Sequence, residues 1–207
     1  TDLSNQRQSS KHLFTPLQLL FESGDTFLME IESSTDAPVD DFRIYNVAGD
    51  DDDVFISVQD YSWTRGIFAL KTSSRRKLQF QHEYSFGNFY DGTRMENTSE
   101  LVYLPSKHFG AELSYSDQDV ELSAGDFNIK LASLTAMVNF TPDLTWSTVA
   151  QYDNVSDTLG INSRLIWEYR PGARVFLVIN QSYLDEVTGF VRKQMDTTLK
   201  LSSIFRF

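Results

Sequence analysis

Lys77-Leu78-Gln79-Phe80-Gln81-His82-Glu83-Tyr84-Ser85-Phe86 decides the fold. Successive side chains of an extended strand point to opposite faces. Leu78, Phe80, Tyr84 and Phe86 therefore share one side, and Gln79, Gln81, Glu83 and Ser85 the other. A helix would scatter the same apolar residues around its axis. The pattern recurs downstream. Phe109, Ala111, Leu113 and Tyr115 oppose Gly110, Glu112, Ser114 and Ser116; Leu144, Trp146, Ala150 and Tyr152 oppose Thr145, Ser147 and Gln151. Leu199, Leu201, Phe205 and Phe207 oppose Lys200, Ser202 and Arg206.

Extending this reading outward yields eleven candidate strands: 13–21, 26–33, 57–71, 77–86, 97–104, 108–116, 127–140, 144–153, 159–169, 174–183 and 194–207. Pro16 cannot donate to a sheet ladder, so the first strand is an edge, is bulged, or is wrongly drawn. The fold expected is an all-β, antiparallel, up-and-down transmembrane barrel. Such barrels have short turns on the periplasmic side and longer loops outside. With Phe207 at the periplasmic face, the connections at Ser23, Ser74, Lys107, Pro142 and Ala173 fall in short periplasmic turns. The segments Ser34–Val54, Gly87–Arg94, Ser116–Asp126, Asp153–Thr158 and Leu184–Arg192 fall outside and are mostly longer. Tyr103, Phe109, Phe140, Trp146, Trp167, Tyr169, Phe176 and Phe205 lie near the short turns. An amphipathic ring is most stable there, at headgroup depth.

The count is odd, whereas bacterial single-chain barrels have even numbers of strands and both termini in the periplasm. The expectation is that residues 1–207 are the C-terminal portion of a larger even-stranded barrel, with upstream strands and a soluble module absent. Thr1 then begins a mature protein or a fragment.

Composition agrees. The chain of 207 residues contains no cysteine, which removes disulfides and thiolate metal sites. A net charge of −11 argues against nucleic acid, since no basic stripe could neutralise phosphates. No apolar run approaches the length of about 18 residues that a helical span needs. The mean hydropathy of −0.32 suits a barrel as well as a soluble protein, because only alternate residues meet lipid.

Several stretches resemble the C-terminal barrel of a bacterial outer-membrane family of unknown function. They are Gly125-Asp126-Phe127 through Leu134, Asn139-Phe140-Thr141-Pro142, Gln151-Tyr152-Asp153-Asn154, Asn162-Ser163-Arg164-Leu165 and Tyr169-Arg170-Pro171-Gly172. Upstream, Ser74-Arg75-Arg76, Gly87-Asn88-Phe89-Tyr90-Asp91-Gly92 and Leu104-Pro105 are similar to it, so the resemblance runs from about Tyr61 to Phe207. Long members of that family carry an N-terminal module similar to carbohydrate-binding domains. The resemblance implies a barrel that serves such a module as anchor or transport partner, with no catalytic residues to carry over. The end of the chain also resembles the signal read by the barrel-assembly machinery, in which Lys200, Ser202, Phe205 and Phe207 take the key places and Ser202 replaces the more usual Gly.

Alternation assigns Glu83, Glu112, Gln151 and Glu168 to the lumen, with Lys130, Arg164, Arg170, Lys200 and Arg206. Such a lining either sorts solutes by charge or fills the interior with cross-strand pairs. The run Asp50-Asp51-Asp52-Asp53 offers hard oxygen ligands to Ca²⁺. It lacks the spaced ligands and Gly of an EF-hand loop and reads as a solvated acidic loop. His82 shares the side of Phe80 and Tyr84, His108 sits at a short turn, and His12 precedes the first strand without a nucleophile motif. No cofactor and no enzyme activity are expected. The first functional expectation is a porin-like channel or membrane anchor, with outer-membrane lipid and lipopolysaccharide and a protein partner in a larger outer-membrane complex as the expected partners. The alternatives are a soluble ligand-binding β-barrel or sandwich and, third, an outer-membrane hydrolase.

Overall fold

The computed structural model describes residues 9–46 and 53–204. Its strands are β1 (Ser9–Leu20), β2 (Thr26–Asp36), β3 (Phe42–Tyr45), β4 (Val54–Ile56), β5 (Tyr61–Lys71), β6 (Leu78–Phe89), β7 (Gly92–Ser106), β8 (Phe109–Leu122), β9 (Gly125–Thr141), β10 (Leu144–Asp153), β11 (Thr158–Arg170), β12 (Ala173–Glu186) and β13 (Gly189–Ser203). Eleven form one antiparallel up-and-down sheet in chain order from β1 to β13, and β3 and β4 pair separately as a hairpin. Each of the eleven expected strands corresponds to one of these eleven. Pro16 lies where the β1–β2 register shifts, between Phe14 and Leu17, on a strand at the end of the sheet order. The bulge there removes the need for its missing N–H.

The expected alternation of short and long connections does not hold. Gly87–Arg94, Ser116–Asp126 and Leu184–Arg192 are strand except for turns at 90–91, 123–124 and 187–188. The connections at 21–25 and 72–77 are longer than these. The reason is chemical: the strands continue beyond their apolar portions, and there the acids read as loop. Within β8, Phe109, Leu113 and Tyr115 share one side, which Asp117, Asp119 and Glu121 continue; Gly110, Glu112 and Ser114 share the other, which Val120 and Leu122 continue. The period of two persists while its polarity reverses. In β9, Phe127 and Ile129 pack into a core while Leu134 and Phe140 sit on the opposite side.

The chain divides into two compact units. The first comprises Thr1–Ser74, Phe80–Ser99 and Ser116–Lys130, so far as these are described. Its register sets Leu13, Glu32, Arg65 and Gly87 in one cross-strand row, and Phe14, Ile31, Gly66 and Phe86 in the adjacent one. Facing rows lie on opposite sides of the sheet, and burial is inverted between them: Glu32 is 2% exposed and Phe14 is 65% exposed. Gly87 adopts φ +147, and a Cβ there would meet the Thr64 carbonyl oxygen at 2.5 Å, so the strands approach as only glycine permits.

The second unit holds the rest of the described chain, including β10 to β13. Val138, Trp146, Leu165, Leu177 and Leu199 form one row. The next, on the other side, is Met137, Ser147, Arg164, Val178 and Thr198. Leu199 is 66% exposed, and Trp146 and Trp167 are exposed as well. In each unit, then, one side of the sheet is rich in exposed apolar side chains and the other carries most of the polar ones.

Candidate functional site

The polar side of the sheet is where charged groups converge. In the first unit, Glu32 accepts from Lys11 Nζ at 2.7 Å, from Arg65 Nη2 at 3.0 and 3.1 Å, and from the Ser34 hydroxyl at 2.9 Å. β1, β2 and β5 supply these groups at paired positions. A carboxylate so deeply buried requires such partners, because an unpaired charge in that environment would cost several kcal/mol. Arg94 of β7 donates to Glu96 at 2.6 Å and lies over the Phe89 ring at 5.2 Å.

Along the same side of β5 the chemistry changes to apolar. Val54, Ile56, Tyr61, Val120, Leu122 and Phe127 form a buried cluster against which Trp63, Phe89, Tyr90 and Ile129 pack. Two of its members come from the β3–β4 hairpin, and Ile56 is 2% exposed. Tyr45 of β3 stacks on Phe127 at 4.4 Å and 5°. Arg43 Nη1 donates to Asp53 at 3.0 Å, and Asp41 accepts from the Val58 N–H at 2.8 Å, closing the base of the hairpin. Arg43 first, and Asn46 with it, hold the Asp53 carboxyl below the usual carboxylate range. Tyr90 takes φ +50 in the β6–β7 turn, an unusual conformation for a bulky residue. Rings of Tyr61, Trp63 and Phe89 surround it within 5 Å, and its hydroxyl donates to Asp36 at 2.9 Å.

The polar side of the second unit is different. A groove of about 400 Å³ is lined by Gln151, Asp153, Thr158, Asn162 and Asn180, with Gly160 leaving space between them. Asn162 donates to Asn180 across β11 and β12. The Asp153 carboxylate accepts from the Val155 N–H at 3.0 Å and from the N–H and hydroxyl of Ser156 at 2.8 and 2.7 Å.

The residues expected in the lumen distribute as follows. Register sets Glu83 opposite Ala69, Gln151 opposite Ser133 and Gly160, Arg164 opposite Ser147 and Val178, and Lys200 opposite Phe176, all on the polar side. Glu112 alternates with Gly110 and Ser114 in β8. Glu168 accepts from Arg174 at 2.6 Å and from the Gly172 N–H at 3.1 Å, forming a turn clasp rather than a lumen charge standing alone. Arg170 follows a register shift, opposite Ala173, with its guanidinium 5.7 Å from the Tyr169 ring centroid. Lys130 departs from expectation. Its neighbour Leu131 pairs with Asp153 on the polar side, so alternation places Lys130 with Ala132 and Leu134 on the apolar side. Arg206 lies outside the described residues.

Of the acidic run, Asp50, Asp51 and Asp52 lie outside the described residues, and Asp53 is engaged by Arg43 and Asn46. Among the described residues no group of three potential ligands could hold a metal ion. Lys200 and Ser202 belong to β13, whereas Phe205 and Phe207 lie outside the described residues. His82 Nδ1 and the Ser99 hydroxyl are 2.9 Å apart, two polar groups satisfying each other on the apolar side. His108 Nδ1 lies 2.9 Å from the Asn139 carbonyl oxygen.

Sequence reading missed the Lys11–Glu32–Arg65 cluster and the β3–β4 hairpin. Alternation in Thr26-Phe27-Leu28-Met29-Glu30-Ile31-Glu32 does put both glutamates opposite the apolar residues Phe27, Met29 and Ile31. Only the register brings Arg65 to Glu32, across 33 residues of sequence.

No family model matches the chain, and no curated protein matches it. Among solved structures, a NanC porin in a rhombohedral crystal form is similar at a TM-score of 0.36 and 10% identity. The match covers 96% of this chain and 100% of that one.

Proposed function

We propose that this chain is an integral β-barrel protein of the bacterial outer membrane, with the apolar side of its sheet against lipid and the polar side lining the interior. Inverted burial carries the reading. A soluble protein of this size seldom exposes a contiguous apolar area beyond a few hundred Å². Here Ile31, Leu70, Phe86, Trp146, Leu199 and Leu201 are exposed while Glu32, Ser34 and Ser85 are buried. The polarity reversal in β8 supports the same reading, because it marks where a strand would leave hydrocarbon and meet water on its outer side. Tyr103 and Phe109 in edge-to-face contact, with Trp167 beside Tyr169, lie near short turns where headgroups favour amphipathic rings.

Within that reading the chain acts as a membrane anchor or transport partner rather than an open diffusion pore. The observation behind this choice is the occupied polar side of the first unit, where charge pairs and a folded-in hairpin take the place of a wide aqueous path. Outer-membrane lipid and lipopolysaccharide are the surroundings of the apolar side, and the barrel-assembly machinery is the partner during insertion.

Refolding with and without detergent tests the proposal. The expected result is a monodisperse, heat-modifiable species in detergent micelles and aggregation without them. A protein that remains monodisperse in detergent-free buffer overturns it and assigns the soluble ligand-binding alternative.

A further inference from the structure

Gly160 of β11 is a glycine that the fold does not require. At Gly87 a Cβ would run into backbone, so packing itself demands glycine. Gly160 does not take a positive φ, and a Cβ there would meet nothing closer than the Gln151 carbonyl oxygen at 3.9 Å, an ordinary contact. A glycine inside a strand weakens it, through chain entropy and the lack of a side chain to pack. β11 carries that cost without any gain in strand packing. A further role of an interior-strand glycine is to let another molecule approach the backbone closely.

The surroundings of Gly160 suit such an approach. It lines the groove of about 400 Å³, a volume within the range of about 300–1,000 Å³ that small-molecule sites occupy. Register sets Gly160 opposite Gln151 of β10 and Ser182 of β12. Val149, Asn162 and Asn180 form the next row on the same side. Asn162 donates to Asn180, which takes up one N–H of the first amide and one lone pair of the second. The other amide donors and acceptors of this pair, with those of Gln151, line the groove. Val149, 37% exposed, adds apolar surface beside the bare backbone of Gly160. Asp153 is held by the N–H groups and hydroxyl of its own turn, and no Lys or Arg is among the lining residues.

We propose that this groove binds a neutral saccharide, with a sugar ring seated over Gly160 and Val149. A hydroxyl both donates and accepts, and a planar amide offers a donor and an acceptor side by side, so Gln151, Asn162 and Asn180 match neighbouring hydroxyls of one ring. The C–H face of the ring takes the apolar floor. An anionic ligand would find a carboxylate and no lining cation, so the groove selects against charge. The site is built entirely from β10, β11 and β12 and their turns, and it holds whether or not the apolar side of the sheet meets lipid.

The test uses the full chain refolded in detergent and titrated with glucose, galactose, N-acetylglucosamine and maltose, with glucuronate as the charged probe. Saturation-transfer NMR reads the binding. At least one neutral probe is expected to bind, and more tightly than glucuronate. Gly160→Ala places a methyl group on the floor and is expected to weaken that binding by about tenfold or more. Its urea midpoint is expected to equal or exceed the parent's, as it does where a glycine is replaced at a compatible position. Asn162→Ala, at an exposed position, is expected to weaken the same probe. Failure of every neutral probe to bind, or binding of glucuronate as tight as theirs, overturns the saccharide. Equal affinity in parent and Gly160→Ala overturns the site, and a lowered midpoint in that variant shows that the fold needed the glycine after all. Detergent dependence, which tests the membrane-barrel reading, is a separate readout, so either proposal can fail alone.

Discussion

The polar sides of the two units solve the same problem differently. In the first unit a carboxylate at 2% exposure is held by an ammonium, a guanidinium and a hydroxyl. In the second, amides and hydroxyls line an open groove, and Arg164 and Lys200 are exposed. The sequence rule behind both is one residue in and one residue out. What differs is access to water. Where closely spaced strands exclude it, each charge must find a protein partner; where the surface stays wet, solvent is the partner. Charge pairing therefore reports on occlusion, and the two units should respond very differently to loss of a cation.

Arg65→Met against Arg164→Met puts the widest gap on that comparison. Removing Arg65 leaves Glu32 buried with Lys11, which is itself half exposed, and Ser34. Breaking a buried pair on one side costs about 3–5 kcal/mol. The value expected here is about 3 kcal/mol, at the low end of that range, since Lys11 and Ser34 remain on the carboxylate. Arg164→Met should fall within about 0.5 kcal/mol of the parent, as surface substitutions do. Urea unfolding of both variants in one detergent gives the difference. Equal midpoints would break the comparison, because occlusion would then not decide the worth of a cation.

How far the sequence carries this comparison depends on the element. Alternation alone located all eleven sheet strands, since residues such as Leu78, Phe80, Tyr84 and Phe86 repeat an apolar side chain on one side of the sheet. It misjudged where strands end. Asp117, Asp119 and Glu121 continue β8 with the same period, but their side becomes acidic where the apolar stretch ends, and a search for apolar-outward alternation stops at Tyr115. The candidate site was less legible. Glu32 and Arg65 each sit correctly by parity, yet which residues meet across strands is fixed by register, and register is written in turns and bulges rather than in either strand. The bulge at Pro16 shows the point, because without it the alignment of Lys11 with Ser34 and of Leu13 with Glu32 would shift. The hairpin was hidden for a different reason. Val54, Phe55 and Ile56 are a short apolar island beside four aspartates, and charge dominated the reading of that segment.

The hairpin's own ion pair sharpens the comparison at its exposed edge. Arg43 holds the Asp53 carboxyl below the ordinary aspartate value of 3.8, with Asn46 assisting. A carboxyl whose folded pKa is depressed contributes stability above its unfolded value and loses it as pH falls through the folded one. Protection of the hairpin from protease should therefore be level from neutral pH down through the usual carboxylate range and decline only below it. Asp53→Asn should remove that acid limb while keeping the Asn46 contact geometry. A decline already complete near neutral pH would show that a different group governs the hairpin.

The smallest effect is expected in the second unit, at Glu168. Its carboxylate receives Arg174 at 2.6 Å and the Gly172 N–H at 3.1 Å, a geometry at least as good as that around Glu32. Arg174 is more than half exposed, however, and the pair closes a turn at the surface, where water replaces either partner at little cost. Glu168→Gln keeps an acceptor for Gly172 and gives up only the charge. Its unfolding midpoint should be indistinguishable from the parent in high salt and only marginally lower in low salt, since the interaction is screened. Short distances are thus shared by two pairs of very different expected worth. A Glu168→Gln variant as damaged as Arg65→Met would mean that geometry, and not exclusion of water, sets the value of a charge on this sheet.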